Sequence, residues 1–282
     1  MIFKTKQTKK AAALFAGWQE TVIWSCLQGV MGQLYVNSLE NPASAMIMLG
    51  DFCYFAGTPN EELILLKPWR ARENRPQDEN EPEAILVPQN ESWGARIERC
   101  FGARAKKVTR YAIKKEPGVF DREKLQAAVD ACPDGYVLQM IDEKLFHRCR
   151  KIAWCRDWVA QYEDYSLYEK HGLGAAALKH GAPVAGASSF SGYLGGIEVE
   201  IITREDHRRK GLAYACGAKL ILECLKRGWY PSWDARTKWS VALAEKLGYH
   251  FDYAYDAYEI YCNSNSLSLC IDCKNSSFRG CF

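Results

Sequence analysis

The residues that could do chemistry gather in one run, Thr203-Arg-Glu-Asp-His-Arg208-Arg209-Lys210-Gly211-Leu212-Ala213. It lies between an alternating segment that reads as a strand and a long apolar segment that reads as a helix. Three consecutive cations at a helix start oppose the positive end of the helix dipole and are unfavourable there unless an anion is held. The unpaired N–H groups of a helix N-terminus can hold one, a diphosphate for example. Gly211 and Ala213 let such a ligand approach the backbone closely. An ordinary basic turn is the competing reading, and the loop alone does not separate the two.

Just upstream, Ile197 to Thr203 alternates. Glu198 and Glu200 project one way, while Val199, Ile201 and Thr203 project the other. A solvated strand face is the bland account of the two carboxylates. His207 reads as a surface group and Cys216 as packing on the first turns of the helix. Tyr249 and Tyr253 read as core residues, with the lining of a ligand cavity as the alternative.

The motif Arg208-x-x-Gly211-x-Ala213 resembles the pyrophosphate loop of the GNAT superfamily of N-acetyltransferases, Arg/Gln-x-x-Gly-x-Gly/Ala. Thr237-Lys-Trp-Ser240-Val-Ala-Leu-Ala-Glu-Lys-Leu-Gly248-Tyr249 resembles that family's second signature. The likeness spans about residues 134–261. It implies a GNAT fold with acetyl-CoA as co-substrate, contacted by Ile201, Ile202, Thr203, Arg208, Arg209, Lys210, Gly211, Leu212, Ala213, Thr237 and Ser240. It further implies a thioester beside Glu200 to Thr203, whose splayed N–H groups polarise the carbonyl, and an amine that must shed a proton before it attacks. Glu198 and Glu200 are the local candidates for that base, directly or through water. Two departures bear on catalysis. Thr237 stands where the family has Asn, and Ala244 where many members place a tyrosine acid. A thiolate leaves readily, so an acid is helpful rather than obligatory.

Val22-Ile-Trp-Ser-Cys-Leu-Gln-Gly-Val-Met-Gly, Gly50-Asp51-Phe52 and Phe55-Ala-Gly-Thr-Pro59 resemble a smaller GNAT group. That group includes proteins similar to zwittermicin A resistance acetyltransferases and carries an extra N-terminal domain. The narrower likeness implies an antibiotic-resistance-like activity on a small amine.

The elements that must position these residues make an α/β chain with mixed sheets. A smaller N-terminal α/β domain (1–132) is expected to precede a GNAT domain (133–261) and a Cys-rich tail (262–282). In the first half, helices are expected at Lys6 to Trp18 and Thr21 to Val30. Strands follow at Gln33 to Asn37, Ser44 to Leu49 and Phe52 to Ala56, the last two joined by a Gly50-Asp51 turn. Asn60 to Leu66 reads as a short helix or strand, and Lys67 to Glu83 as a polar, Pro-punctuated loop. Ala84 to Val87 and Lys107 to Ile113 read as strands, Glu91 to Cys100 and Asp121 to Ala131 as helices. In the second half, strands are expected at Tyr136 to Ile141, Ala175 to Lys179, Val184 to Phe190, Ile197 to Thr203, Tyr230 to Asp234 and Phe251 to Ile260. Helices fall at Glu143 to Arg150, Arg156 to Ala160, Leu212 to Lys226 and Trp239 to Leu247. The halves share an order of elements, and whether they are a true repeat stays open. The first has no counterpart of the Arg208 to Ala213 loop. A GNAT-like N-terminal unit would therefore have lost the cofactor and would wall the substrate cleft.

At 282 residues, 48% hydrophobic and 25% charged, the chain can build a substantial core. No apolar run approaches the ~20 residues that span a bilayer, and the start lacks a secretory leader, so a cytoplasmic address without membrane partners is expected. A formal charge of +3 gives no reason to expect a nucleic-acid partner. The twelve cysteines fit a reducing compartment. Cys270-x-x-Cys273 is half a zinc knuckle with no histidine near it, so a flexible tail is preferred and no metal is expected. The leading functional reading is transfer of acetyl to a primary amine of a small molecule. A protein amine as acceptor, or an acyl-CoA-binding module without turnover, are the alternatives.

Overall fold

The computed structural model describes residues 1–68 and 82–261. Most of the expected polar loop and the whole 262–282 tail, with its Cys270 and Cys273, lie outside the described residues. The first half contains β1 (Phe3–Thr5), α1 (Thr8–Ala11), α2 (Thr21–Leu27), β2 (Gln33–Val36), β3 (Ser44–Leu49), β4 (Phe52–Gly57), α3 (Glu61–Leu65), β5 (Ala84–Pro88), α4 (Glu91–Phe101), β6 (Ala105–Ile113) and α5 (Arg122–Asp130). The second contains β7 (Val137–Met140), α6 (Glu143–Cys149), α7 (Tyr165–His171), β8 (Gly174–Lys179), β9 (Ala182–Tyr193), β10 (Gly196–Thr203), α8 (Leu212–Lys226), β11 (Tyr230–Ser232), β12 (Asp234–Ala235), α9 (Lys238–Leu247) and β13 (Phe251–Ile260).

Local chemistry explains most boundaries. Asn60, Asn90, Asp142, Asp164 and Thr237 each sit in extended backbone and accept a hydrogen bond from the N–H three residues on, starting α3, α4, α6, α7 and α9. Caps of this kind are worth about 0.5–2 kcal/mol each. The Ser-Ala-Met-Ile-Met-Leu run of β3 is buried along its whole length, as a strand covered on both faces must be. Three differences from the sequence reading stand out. Lys6 to Trp18 is not one helix but α1 followed by a 3-10 turn at Ala12–Phe15. β1 and α7 were not expected. Of Arg156 to Ala160, the first three residues end a 3-10 segment, Ala153–Trp158, and the last two form a turn.

The strands form an eight-stranded sheet, β1-β2-β3-β4-β5-β13-β6-β12, and a five-stranded sheet, β11-β10-β9-β8-β7. Sheet membership crosses the expected border at residue 132. β13, the last strand of the second half, lies antiparallel to both β5 and β6 of the first. The segment expected as one strand at Tyr230 to Asp234 divides at Trp233. β11 runs parallel to β10, pairing Gly196–Glu198 with Tyr230–Ser232, whereas β12 pairs with β6 in the other sheet. The chain thus steps from one sheet to the other within a single residue, and the gap it leaves beside β10 is the site.

The halves do repeat an order. The antiparallel hairpin β3–β4 leads through α3, β5 and α4 to β6, as β9–β10 leads through α8, β11 and α9 to β13. β4 and β5 are parallel, as β10 and β11 are. The counterpart of the fifteen-residue α8 is the five-residue α3, whose N-terminus is closed by the Asn60 side chain. Apolar clusters fill the space between the elements. In one of them Val22, Ile23 and Cys26 of α2 share a core with Phe190 of β9 and Trp158, so the two halves have a common interior. Among the described residues no helix is long and apolar enough to cross a membrane.

Candidate active site

β10 keeps β9 along one edge, Val199 to Thr203 facing Ser189 to Ala185, but has β11 on the other only as far as Glu198. Beyond that point its second edge is open. Arg204 N–H donates to the Val184 carbonyl on β9 at 2.9 Å. Alternation along a strand then turns the N–H groups of Thr203 and Ile201 away from β9 and into the gap. These donors lie inside a cleft of about 940 Å3 whose walls include Glu200, Ile201, Ile202, Thr203, Arg208, Arg209, Gly211, Leu212, Ala213, Thr237 and Ser240. The cleft gathers every residue expected to contact the cofactor except Lys210, whose ammonium is turned back onto the Asp206 carbonyl at 3.0 Å.

The floor of the cleft is an uncapped helix end. Gly211 holds φ +78°, in the left-handed region that favours glycine, and no side chain caps α8. The residue two positions earlier, Arg209, is also left-handed at φ +61°, a conformation costly for a residue with a Cβ. Arg208 through Gly211 are exposed, so the turn is open to a ligand. The first N–H groups of α8, two arginine side chains and the buried, unpartnered Thr203 hydroxyl together suit a diphosphate-bearing nucleotide with an amide-containing arm. Thr237 and Ser240 also brace the protein. Thr237 Oγ1 accepts from Ser240 N–H at 3.2 Å, and Ser240 Oγ accepts from Trp233 Nε1 at 3.0 Å, pinning the tryptophan at which the chain changes sheets. Trp239, 87% exposed, also lines the cleft.

A second cavity of about 370 Å3 adjoins the cleft at β10. It shares Phe52, Arg110, Phe190, Val199, Glu200, Trp233 and Asp234 with the cleft, so the two meet around Glu200. Glu198 lines only this second cavity. One of its oxygens accepts from the Thr21 hydroxyl and the other is buried without a partner. The two carboxylates are not a solvated face. Burial raises the pKa of Glu198 to about 7, against the opposing pull of Lys115 and Thr21. Burial, with the Asp157 and Asp51 carboxylates, raises that of Glu200 to about 8. A half-buried carboxyl poised near neutrality is suited to receiving a proton.

Several residues of this junction were not anticipated from the sequence. Arg110 of β6 donates twice to Asp234 Oδ1, through Nε at 2.7 Å, and its guanidinium lies 4.8 Å from the centre of the Phe52 ring. Burial works against its charge, yet Asp234, Tyr255 and Tyr54 hold its pKa above the ordinary arginine value. Tyr255 donates to the other Asp234 oxygen at 2.7 Å. With Lys106 and Lys107 in the same strand, nothing local in β6 distinguishes Arg110 as the buried cation. Glu20, with a pKa raised by burial, comes from the loop before α2. Tyr253 lines the second cavity at 44% exposure and is not a core residue, whereas Tyr249 is buried and donates to the Pro231 carbonyl at 2.6 Å. His207 is not a surface group. It is buried, its pKa is lowered by desolvation, and its Nδ1 shares a 2.9 Å hydrogen bond with Tyr136. Cys216 is buried on α8, its thiol pushed up to about 12 by desolvation, as packing requires.

Known proteins share this architecture. The family model described as GNAT acetyltransferase matches residues 12–258. A Bacillus subtilis (strain 168) protein called "Uncharacterized N-acetyltransferase YdfB" is 28% identical over 248 residues, 84% of this chain and 89% of its own length. The crystal structure of a GCN5-related N-acetyltransferase-like protein from Streptococcus suis 89/1591 superposes with a TM-score of 0.82 at 44% identity, covering 90% of this chain and 98% of that one. A tandem GNAT protein from the clavulanic acid biosynthesis pathway shares the fold at 12% identity and a TM-score of 0.50, over 92% of this chain and 97% of that one.

Proposed function

This chain belongs to the GNAT acetyltransferase family, and from that premise we propose that it transfers an acetyl group from acetyl-CoA to a primary amine of a small molecule by direct attack. The observation that carries the reading is the meeting of two cavities at Glu200, one floored by an open helix N-terminus and the other lined by carboxylates. Acetyl-CoA, when bound, supplies a carbonyl activated as a thioester. The N–H groups at the start of α8, with Arg208 and Arg209, bind the diphosphate. The N–H groups of Ile201 and Thr203 orient and polarise the carbonyl oxygen. Thr237 and Ser240 hold α9 and Trp233 along the arm.

On the acceptor side, Glu198 and Glu200 draw a cationic amine inward. Glu200, common to both cavities, receives the proton from nitrogen, because an ammonium has no lone pair with which to attack. The C–N bond forms as the C–S bond breaks, the second proton on nitrogen passes to the departing thiolate directly or through water, and the proton held by Glu200 leaves for solvent. Ala244 is fully buried and supplies no acid. A thiolate leaves without one. Phe52, Phe190 and Trp233 line the junction and limit the water there. The modest volume of the acceptor cavity supports a small molecule over a folded protein, and the narrower likeness to zwittermicin A resistance acetyltransferases points the same way.

The test is free-thiol release from acetyl-CoA against a panel of primary amines, with the product identified by mass spectrometry. The reading expects amine-dependent thiol and a mass gain of one acetyl group. Tight CoA binding with no thiol release for any amine between about pH 7 and pH 9 would leave a binding module without turnover.

A further inference from the structure

A third hollow, of about 510 Å3, continues the acceptor cavity outward. The two share Glu20 and Tyr253, whose side chains stand 3.3 Å apart, oxygen to oxygen, at the division between them. Its walls are the rings of Trp18, Tyr253, Tyr255 and Tyr258, the apolar surfaces of Val87, Pro88 and Ala95, and the carboxylates of Glu20, Glu91, Glu98 and Asp256. Among the described residues that line it, Lys107 is the one cation, and it is engaged by Asp256 at 2.8 Å. Glu98 accepts from Tyr258 at 2.8 Å, which holds its carboxylate against the ring wall. Aromatic faces and carboxylates attract a positive charge, and apolar walls accept methylenes. The same carboxylates repel phosphate, which excludes a second nucleotide arm. A carboxylate therefore stands at each stage outward from the reacting position, with Glu200 at the junction, Glu198 in the acceptor cavity, where Arg110, Lys114 and Lys115 also lie, Glu20 at the division and Glu91 and Glu98 beyond.

We propose that the acceptor is a linear amine carrying a second positive charge at its far end, an α,ω-diamine or longer polyamine, whose remote ammonium sits in this outer hollow between the tyrosine rings and Glu91 and Glu98. The proposal rests on the amine-transfer reading and names the substrate class of that site. One ammonium presents its nitrogen at Glu200, the methylene chain passes Glu20 and Tyr253, and the second ammonium fixes the depth of insertion. The reaction stays that of one acetyl per bound end.

The experiment compares hexane-1,6-diamine with hexylamine, equal in chain length and different in the distal charge. Binding to the CoA-loaded protein is measured by calorimetry, and thiol release in parallel. The diamine is expected to bind roughly tenfold tighter, and the ratio to collapse toward one in the Glu91→Gln/Glu98→Gln double variant. Equal affinities in the unmodified protein, or a preference that survives the double variant, would overturn the outer site. A calorimetric preference for the diamine without thiol release from either amine would instead defeat the transfer reading and leave the outer site standing.

Discussion

A carboxyl group that burial, Asp157 and Asp51 hold near pKa 8 is mostly protonated at neutral pH, so Glu200 becomes a base only as the pH rises or as a cation arrives. The expected kcat/KM profile climbs between about pH 7 and pH 8 as Glu198 and then Glu200 ionise. Glu200→Gln should remove the upper inflection and lower kcat by about 10²-fold or more while CoA affinity is kept; an unchanged profile would reassign the base. The same residue has a stability signature of definite sign. Its folded pKa lies above the unfolded value near 4.3, so over that interval the folded state holds the extra proton and stability falls as pH rises from about 4 to about 8. Glu200→Gln should therefore melt a few degrees higher than the parent at about pH 8.5 and at the same temperature at about pH 4. A variant less stable at both would mean that the carboxylate is structurally paired. The alternation of Glu198 and Glu200 was plain from their spacing. Their burial was not, because it depends on Thr21, Phe52 and Arg110 arriving from the other half of the chain.

Individual elements meet at the step between β11 and β12, where Trp233 separates a strand of one sheet from a strand of the other. The buried Arg110–Asp234 pair ties β12 to β6 at that step, and Tyr255 on β13 adds a third strand to it. Removing one partner of such a pair strands a desolvated charge, at a cost of about 3–5 kcal/mol. Asp234→Ala should lower the melting temperature accordingly, while the double replacement Arg110→Met/Asp234→Leu should recover most of the stability without recovering activity. Thermal melts and thiol assays on the two proteins separate these effects, and an Asp234→Ala protein as stable as the parent would show that the pair does not brace the step. The start of α8 was legible because glycine and basic residues at a helix start are a local signal. The division of Tyr230 to Ala235 was not, since a short apolar run looks the same whether it pairs with one neighbour or changes neighbours midway. α7 leaves little mark in the sequence because Tyr165 to His171 spans only seven residues, about two turns, too few for a helical apolar period to stand out.

Across the whole molecule, the insertion of β13 between β5 and β6 makes each half incomplete without the other. Residues 133–261 alone would carry β13 without its partners, and residues 1–132 would leave facing edges of β5 and β6 open. A single cooperative unfolding transition is therefore expected by calorimetry for the full chain, and a fragment of residues 133–261 should fail to fold as a monomer. Two separate transitions, or a folded and monomeric fragment, would contradict the interlock. Pairing over such sequence distance leaves no mark in local alternation, and for this reason the order of elements could be read along the chain whereas their sheet membership could not. The interlock has a functional consequence: the acceptor cavity is walled by Glu20, Phe52 and Arg110 from one half and by Glu198, Glu200 and Asp234 from the other.

The most direct measurement is calorimetric titration of CoA into the unmodified chain and into Gly211→Glu. A side chain at φ +78°, bearing a negative charge at the open start of α8, must collide with and repel a diphosphate held there. Binding should be clear in the first protein and absent in the second, with both folded by circular dichroism. Equal CoA affinity in the two would mean that the diphosphate lies elsewhere and that the cleft beside β10 is not where the thioester is held.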